Sequence, residues 1–370
     1  MSLSPSLPSS ELIDTRRLAG VFRNTTQSYK FFWFLSILDL SSAQKPRTFE
    51  IADLTLQMCV NAWYPLYCKL NLGPKDALAA IRESLISRYS IGEDLEATQL
   101  RQQLLNCREQ DCATFDKLVK KRLAVYVPTR FLSAWIDESN DLKMKVLSRN
   151  FTGGCLYRLD PQSSTITLND AYWDYLRENH AILRDFTYWN LLDYLQRRNP
   201  KDQFIVYKLV RNEGRESLVV QRKFWDFVIG QGCRILCPYS GKIIAPGDTY
   251  DLDHFIPWRY VASNAAWNLT PANPSLNSAK SDNLPPLDFI KPLALNQQHA
   301  LQTYVKHYGP KSNGKFQEVI DDYLSLGRKP SEIAVMGTEE LFTFFKELIT
   351  PLYLQAHSKG FNLWNYSNVA

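Results

Sequence analysis

The sequence predicts an α+β protein, predominantly helical, in which a small strand-and-helix unit is embedded between helical regions. Three observations predict it. Apolar and aromatic residues recur at three- and four-residue spacing over residues 12–147. Residues 233–286 are instead rich in Gly, Pro, Asn and Asp. Helical periodicity then returns from Leu287 onward.

The elements follow in order. Residues 1–11 are Ser/Pro-rich and predict a flexible tail. Helices are expected at 29–40, 51–70, 77–89, 95–105 and 115–125, punctuated by Gly73-Pro74-Lys75-Asp76 and Tyr126-Val127-Pro128. The stretch YKFFWFLSILDL is apolar nearly all round, yet far short of the ~20 residues a membrane span needs, so it reads as a deeply buried helix. CLYRLD, PQSS and TITL predict a β-hairpin within 152–168. Helices resume at 169–179 and 185–198, and Asn199-Pro200 marks a break. Residues 204–220 carry two readings: a pair of strands around RNEGR, or a helix and a loop. A helix over 219–229 closes a mainly helical domain of residues 12–229. A compact unit is expected over 230–286. A C-terminal helical region over 287–370 should pack on it, with its firmest helices at 316–326 and 339–354.

The chain has 370 residues, 45% of them hydrophobic, enough for a sizeable core and two or three domains. A net charge of +5 and a pI near 8.7 permit a polyanionic partner without demanding one. Seven cysteines, an odd number, in a chain this long predict a reduced intracellular protein without a disulfide framework. The first residues lack the apolar segment of a secretory signal. A cytoplasmic protein with no membrane association is therefore expected. The basic run KLVKKR, residues 117–122, is explained by a solvated helix face.

The chemistry concentrates in CPYSGKIIAPGDTYDLDHFIPWRYVASNAAWNLTPANPSLNSAKSDNLPP. Residues 242–244 predict a first strand, 245–248 a turn and 249–253 a second strand. Alternation on that second strand sends Asp251 and Asp253 to one face, with His254 at its end. Asn273 suits a helix N-cap with Pro274 at the first helical position, and Asn277 and Lys280, three apart, share a face. Asp253, His254, Asn277 and Lys280 are thereby able to converge on one cleft. A carboxylate and an amide oxygen suit a hard cation such as Mg²⁺. An unperturbed imidazole is largely neutral at pH 7 and can take a proton from water. A lysine adds positive charge to a phosphoryl transition state. Metal-assisted phosphodiester hydrolysis needs this combination.

CPYSGKII, DLDHFIP, WNL and LNSAKSDNLP together resemble the HNH, or ββα-metal, endonuclease superfamily, most closely the HNH domain of the RNA-guided CRISPR nucleases. The resemblance implies that Asp253 and Asn277 are metal ligands for Mg²⁺, with Mn²⁺ as a substitute. It makes His254 the general base, Asn268 the residue that pins the loop behind it, and Lys280 a phosphate or leaving-group contact. It further implies a nucleic-acid partner, DNA before RNA, and cleavage to a 5′-phosphate and a 3′-hydroxyl. Arg259, Arg222 and Lys223 are candidate DNA-backbone contacts through their nearness in sequence. Asp251 is assigned to a salt bridge or turn contact ahead of the metal. Trp225, Trp258 and Trp267 are assigned to the core.

Two departures qualify the likeness. Many HNH proteins brace the unit with zinc on two CxxC pairs, whereas Cys233 and Cys237 are four apart and no cysteine follows them, so structural zinc is not expected. The flanking helices match no guided-nuclease segment, which predicts an HNH protein with its own helical framework. A bacterial defence or restriction effector is one expectation; a nucleic-acid-binding regulatory subunit with a silent HNH fold, or a partner-activated nuclease toxin, are alternatives. Residues 12–229 carry no motif of their own, and a DNA, protein-partner or homodimer surface is open there.

Overall fold

A computed structural model describes residues 7–42, 47–202, 204–211, 217–309 and 314–366. Most of the N-terminal tail, the Asn212–Arg215 part of RNEGR, and Pro310 lie outside the described residues. The chain divides into two compact units, Met1–Arg211 and Asn212–Ala370. Helices dominate both, with small sheets between them, as the sequence predicts. Among the described residues no helix is long and apolar enough to cross a membrane.

The first unit is built around the helix Tyr29–Ser42. Phe31 through Leu38 are buried without interruption, because an all-apolar helix has no face to offer water. The helices Ile51–Tyr67 and His180–Arg198 pack against it. The hairpin forms from β2 (Tyr157–Asp160) and β3 (Thr165–Leu168), antiparallel with Tyr157 opposite Leu168. A third strand that the sequence reading lacked, β1 (Thr48–Glu50), adds to the other side of β3. Its three residues are too few for periodicity to mark. Two tryptophans tie the core together: Trp33 donates to Tyr157 Oη (3.0 Å) and Trp135 to Tyr172 Oη (2.8 Å). The helix expected over 115–125 divides into Cys112–Leu118 and Lys120–Leu123 at Val119. In the ambiguous region, Ile205–Lys208 is a single 3₁₀ turn rather than a strand. Pro8, in the expected tail, accepts a hydrogen bond from Tyr175 at 2.8 Å.

The second unit opens with the helix Val219–Gly230. Next come β4 (Ile235–Leu236) and β5 (Ile243–Ile244), paired antiparallel, then β6 (Asp251–His254) and β7 (Leu269–Ala272), also antiparallel. The pairing corrects the expected hairpin. Residues 243–244 do not pair with the strand carrying Asp253; they pair backward with β4, and β6 takes β7 from within the expected loop. Pro271 hides β7 from sequence reading, since proline argues against a strand, although a two-stranded ladder has only edges and tolerates it. β6, β7 and the helix Pro274–Lys280 make the ββα unit. As expected, Asn273 caps that helix through Ser275 N (3.0 Å) and Leu276 N (3.3 Å).

Two longer helices, Ile290–Tyr308 and Thr338–Ser358, back this unit. Their polar residues act on the strands directly. Asn296 accepts from Leu236 N (3.0 Å) and donates to Leu236 O (2.6 Å) and Thr270 Oγ1 (3.1 Å). Gln297 donates to the carbonyls of Ala266 (3.1 Å) and Leu269 (2.7 Å), and its own oxygen accepts from Tyr323. Trp225 and Trp267 are buried in this core.

Candidate active site

Asp251 and Asp253 share the β6 face that meets the helix Pro274–Lys280, and each finds one partner there. Asn277 Nδ2 donates to Asp251 Oδ2 at 3.1 Å, and Lys280 Nζ donates to Asp253 Oδ1 at 2.9 Å. Lys280 also donates to the His254 carbonyl at 2.8 Å. The Lys280 and Asp253 side chains are only 1% and 4% exposed, so this ion pair is desolvated. Burial pushes the Asp253 carboxyl above its ordinary range, against the pull of Lys280 and of the Tyr239 hydroxyl that donates to Oδ2.

Tyr239 is enclosed in turn. Phe289 and Trp364 meet its ring edge-on at 5.3 and 5.1 Å, and Tyr366 Oη donates to its backbone carbonyl at 2.5 Å. Burial and the adjacent Asp253 hold its phenol well above the ordinary tyrosine value, so it stays a donor.

His254 Nε2 lies 3.0 Å from Asn264 Oδ1. An amide oxygen only accepts, so in this contact Nε2 is the donor. Asn268 stands behind this strand end. Its Oδ1 accepts from Ile256 N (2.8 Å), its Nδ2 donates to Ile256 O (2.9 Å), and its carbonyl accepts from Phe255 N (2.8 Å). One buried side chain thus fixes the chain where it leaves the histidine.

Asp253, His254, Asn264, Asn277, Ser278 and Asp282 line a common cleft of about 450 Å³. Lys280 and Asn268 are not in its wall. Of the residues read as DNA contacts, Arg259 pairs with Asp282 at 3.8 Å, on the cleft margin. Arg222 donates to the Tyr250 carbonyl (2.8 Å) and lies over the Tyr250 ring at 4.5 Å. Lys223 is exposed on the Val219–Gly230 helix. The cysteines make local contacts: Cys233 donates to His299 O at 3.4 Å, and Cys237 accepts from Asn273 N at 3.3 Å.

The donor set fits a hard divalent cation. Asp253 and Asn277 face the same cleft, and Asp251 adds a carboxylate next to Asn277. A carboxylate offers about four lone-pair sites, so the two bonds to Asp253 leave it able to bind more. Asn277, giving its NH₂ to Asp251, keeps its carbonyl oxygen to offer. Among the described residues no group of three or more His, Cys, Asp and Glu could hold a metal. An amide and carboxylates, completed by oxygens from outside the protein, would suit a hard cation.

Tyr239 and Asn264 are functional-site residues that sequence reasoning did not single out. Tyr239 stands in the quoted CPYSGK phrase but far from the carboxylate it serves, and Asn264 lies in an irregular loop with no spacing rule.

Residues 237–286, the stretch that contains β5, β6, β7 and the helix bearing Asn277, match the family model of the HNH endonuclease. The segment that carries the cleft is thus similar to an HNH endonuclease domain, a likeness that points to nuclease activity on a nucleic acid. No curated protein and no solved structure matches the chain.

Proposed function

We propose that this protein is a Mg²⁺-dependent HNH endonuclease that hydrolyses phosphodiester bonds in DNA, with Mn²⁺ able to substitute. One observation carries the reading: Asp253, His254 and Asn277, all from the matched segment, line a single cleft. His254 takes a proton from the attacking water, and its contact with Asn264 orients the ring. The water oxygen bonds to phosphorus as the P–O3′ bond breaks, giving a 5′-phosphate and a 3′-hydroxyl. Asp253 and Asn277 would hold the cation, with Asp251 beside them. When bound, the ion supplies positive charge to the phosphate and the departing oxygen. Lys280, enclosed rather than facing the cleft, orients Asp253 and the His254 backbone. One such cleft cuts one strand per engagement.

The phrases DLDHFIP and LNSAKSDNLP resemble the HNH domain of the RNA-guided nucleases, which supports a kinship with them within the superfamily. A role in bacterial defence or restriction is proposed by analogy with such proteins. Incubation with supercoiled plasmid, linear duplex, single-stranded DNA and RNA, in Mg²⁺, Mn²⁺ or chelator, tests the activity. His254→Ala should lower cleavage by about 10²–10⁴-fold. Cleavage at the wild-type rate by that variant would refute the reading.

The buried Lys280–Asp253 pair is the observation that favours a silent, regulatory HNH fold, because it already neutralises the carboxylate. Calorimetric titration with Mg²⁺ separates the two: heat that disappears in Asp253→Ala supports the nuclease, and no metal-dependent heat supports the silent fold.

A further inference from the structure

In the first unit, far along the sequence from the HNH segment, four cationic side chains surround one cleft. Arg16 and Arg17 come from the short helix Thr15–Ala19, Arg23 from the turn after it, and Lys30 from the first turn of the helix Tyr29–Ser42. The cleft measures about 400 Å³, and Asn24 and Ser133 add polar groups to its wall. No carboxylate lines it among the described residues. Asp14, just outside, lies 3.6 Å from Arg16 and 3.5 Å from Arg17, one negative charge beside a group of four positive ones.

Two of the cations are built into the wall and two are presented to solvent. Arg17 donates to the carbonyls of Trp135 (2.8 Å) and Gly153 (3.3 Å), and Lys30 donates to Val21 O (3.3 Å) and Ser133 Oγ (3.4 Å). Arg16 is 93% exposed at the side chain, and Arg23 is exposed. Burial, and then the nearby Arg130, lower the Lys30 pKa, so the fold holds a cation where its charge is disfavoured. Like charges gathered in a concave, partly dehydrated surface focus a positive potential and attract a polyanion.

We propose that this cleft is an anchor for the phosphodiester backbone of the nucleic acid that the HNH domain acts on. Arg17 and Lys30, hydrogen-bonded into the wall, would set the position of one phosphate, and the exposed Arg16 and Arg23 would contact the strand on either side. The inference rests on the nuclease reading for the identity of the polymer, not for the cleft itself. It gives residues 12–229 a task that no motif in them announces. Phosphate contacts of this kind carry affinity and register but no sequence information.

The test uses the full chain in chelator, so that nothing is cut. Binding of a labelled DNA duplex and of a labelled single-stranded RNA is measured by anisotropy across a salt series, for wild type and Arg16→Ala/Arg23→Ala. Both substituted residues are exposed, and an unchanged thermal melt confirms the fold. Each lost phosphate contact should reduce the slope of log K against log salt by about 0.9 for the duplex and about 0.7 for the single strand, so the double variant should fall by about 1.8 and 1.4. Near 0.1 M salt the duplex value corresponds to roughly 50-fold weaker binding. An unchanged slope and affinity for both probes would overturn the proposal. So would calorimetry in which inorganic pyrophosphate binding needs the two arginines while binding of both polymers does not. Cleavage in Mg²⁺ is scored separately. Arginine-dependent binding without cleavage would keep the anchor and sink the nuclease reading; cleavage with arginine-independent binding would do the reverse.

Discussion

Replacing Lys280 with methionine removes one half of a desolvated ion pair and leaves the other half in place. The two side chains are 1% and 4% exposed, so water cannot take over the solvation of Asp253. Breaking a buried pair from one side costs about 3–5 kcal/mol, because the remaining charge is uncompensated. The His254 carbonyl also loses its donor, worth about 1 kcal/mol. Neutralising both partners is a different perturbation. In Asp253→Asn/Lys280→Met no charge is stranded, and Tyr239 can still donate to the amide oxygen. The double variant should therefore be more stable than the sum of the single effects by about 2 kcal/mol or more. Urea denaturation of the four proteins of the cycle, in chelator so that no cation contributes, measures this coupling. Single changes that add within about 0.5 kcal/mol would show that the pair is not the desolvated bridge described.

Other consequences follow from the same site. Tyr239→Phe keeps the aromatic enclosure but withdraws the donor to Asp253 Oδ2; Mg²⁺ affinity by calorimetry should weaken by about 10-fold or more, while the thermal melt moves little. Asn264→Ala removes the amide contact to His254 Nε2 and should lower kcat by about 10- to 100-fold with KM nearly unchanged; an equal loss in KM alone would argue against an orienting role. Asp322 accepts from Ala266 N at 2.7 Å, and burial, more than Glu318 and Asp321, pushes its carboxyl up to about 6. A raised carboxyl stabilises the fold at low pH, and that contribution is lost as pH rises from about 4 through 6, so Asp322→Asn should flatten the stability profile across this window. Gln297→Leu leaves the Ala266 and Leu269 carbonyls and the Tyr323 hydroxyl without this amide, and should cost about 2 kcal/mol or more by chemical denaturation.

What was legible in the sequence was local. The unbroken apolar run at 29–40 required a helix buried on all sides, CLYRLD and TITL required a hairpin, and Asn273-Pro274 required a helix start. The same local rules put Asp251 and Asp253 on one strand face and Asn277 and Lys280 on one helix face, which is how the cleft could be anticipated. What stayed hidden was pairing between distant segments. Nothing near β6 says that its partner lies beyond a loop and contains a proline. Tyr239 reaches Asp253 across fourteen residues, and Asn264 reaches His254 from an irregular loop, neither through any fixed period. Lys280 shows the limit most clearly: spacing found its face but not its burial, which depends on how closely the helix approaches β6.

The side chains of Asn296 and Gln297 have a consequence for how portable this chemistry is. The residues that line the cleft at β6 and on the short helix all lie before residue 287, yet the amides that hold β4 and the entrance to β7 come from the helix Ile290–Tyr308. Tyr239, beside Asp253, is walled by Trp364, further still along the chain. A fragment cut at the borders of the family match would keep the reactive groups and lose the hydrogen bonds and aromatic wall that set their geometry. The stretch that matches the HNH family is thus shorter than the piece of chain whose contacts set the geometry of the cleft.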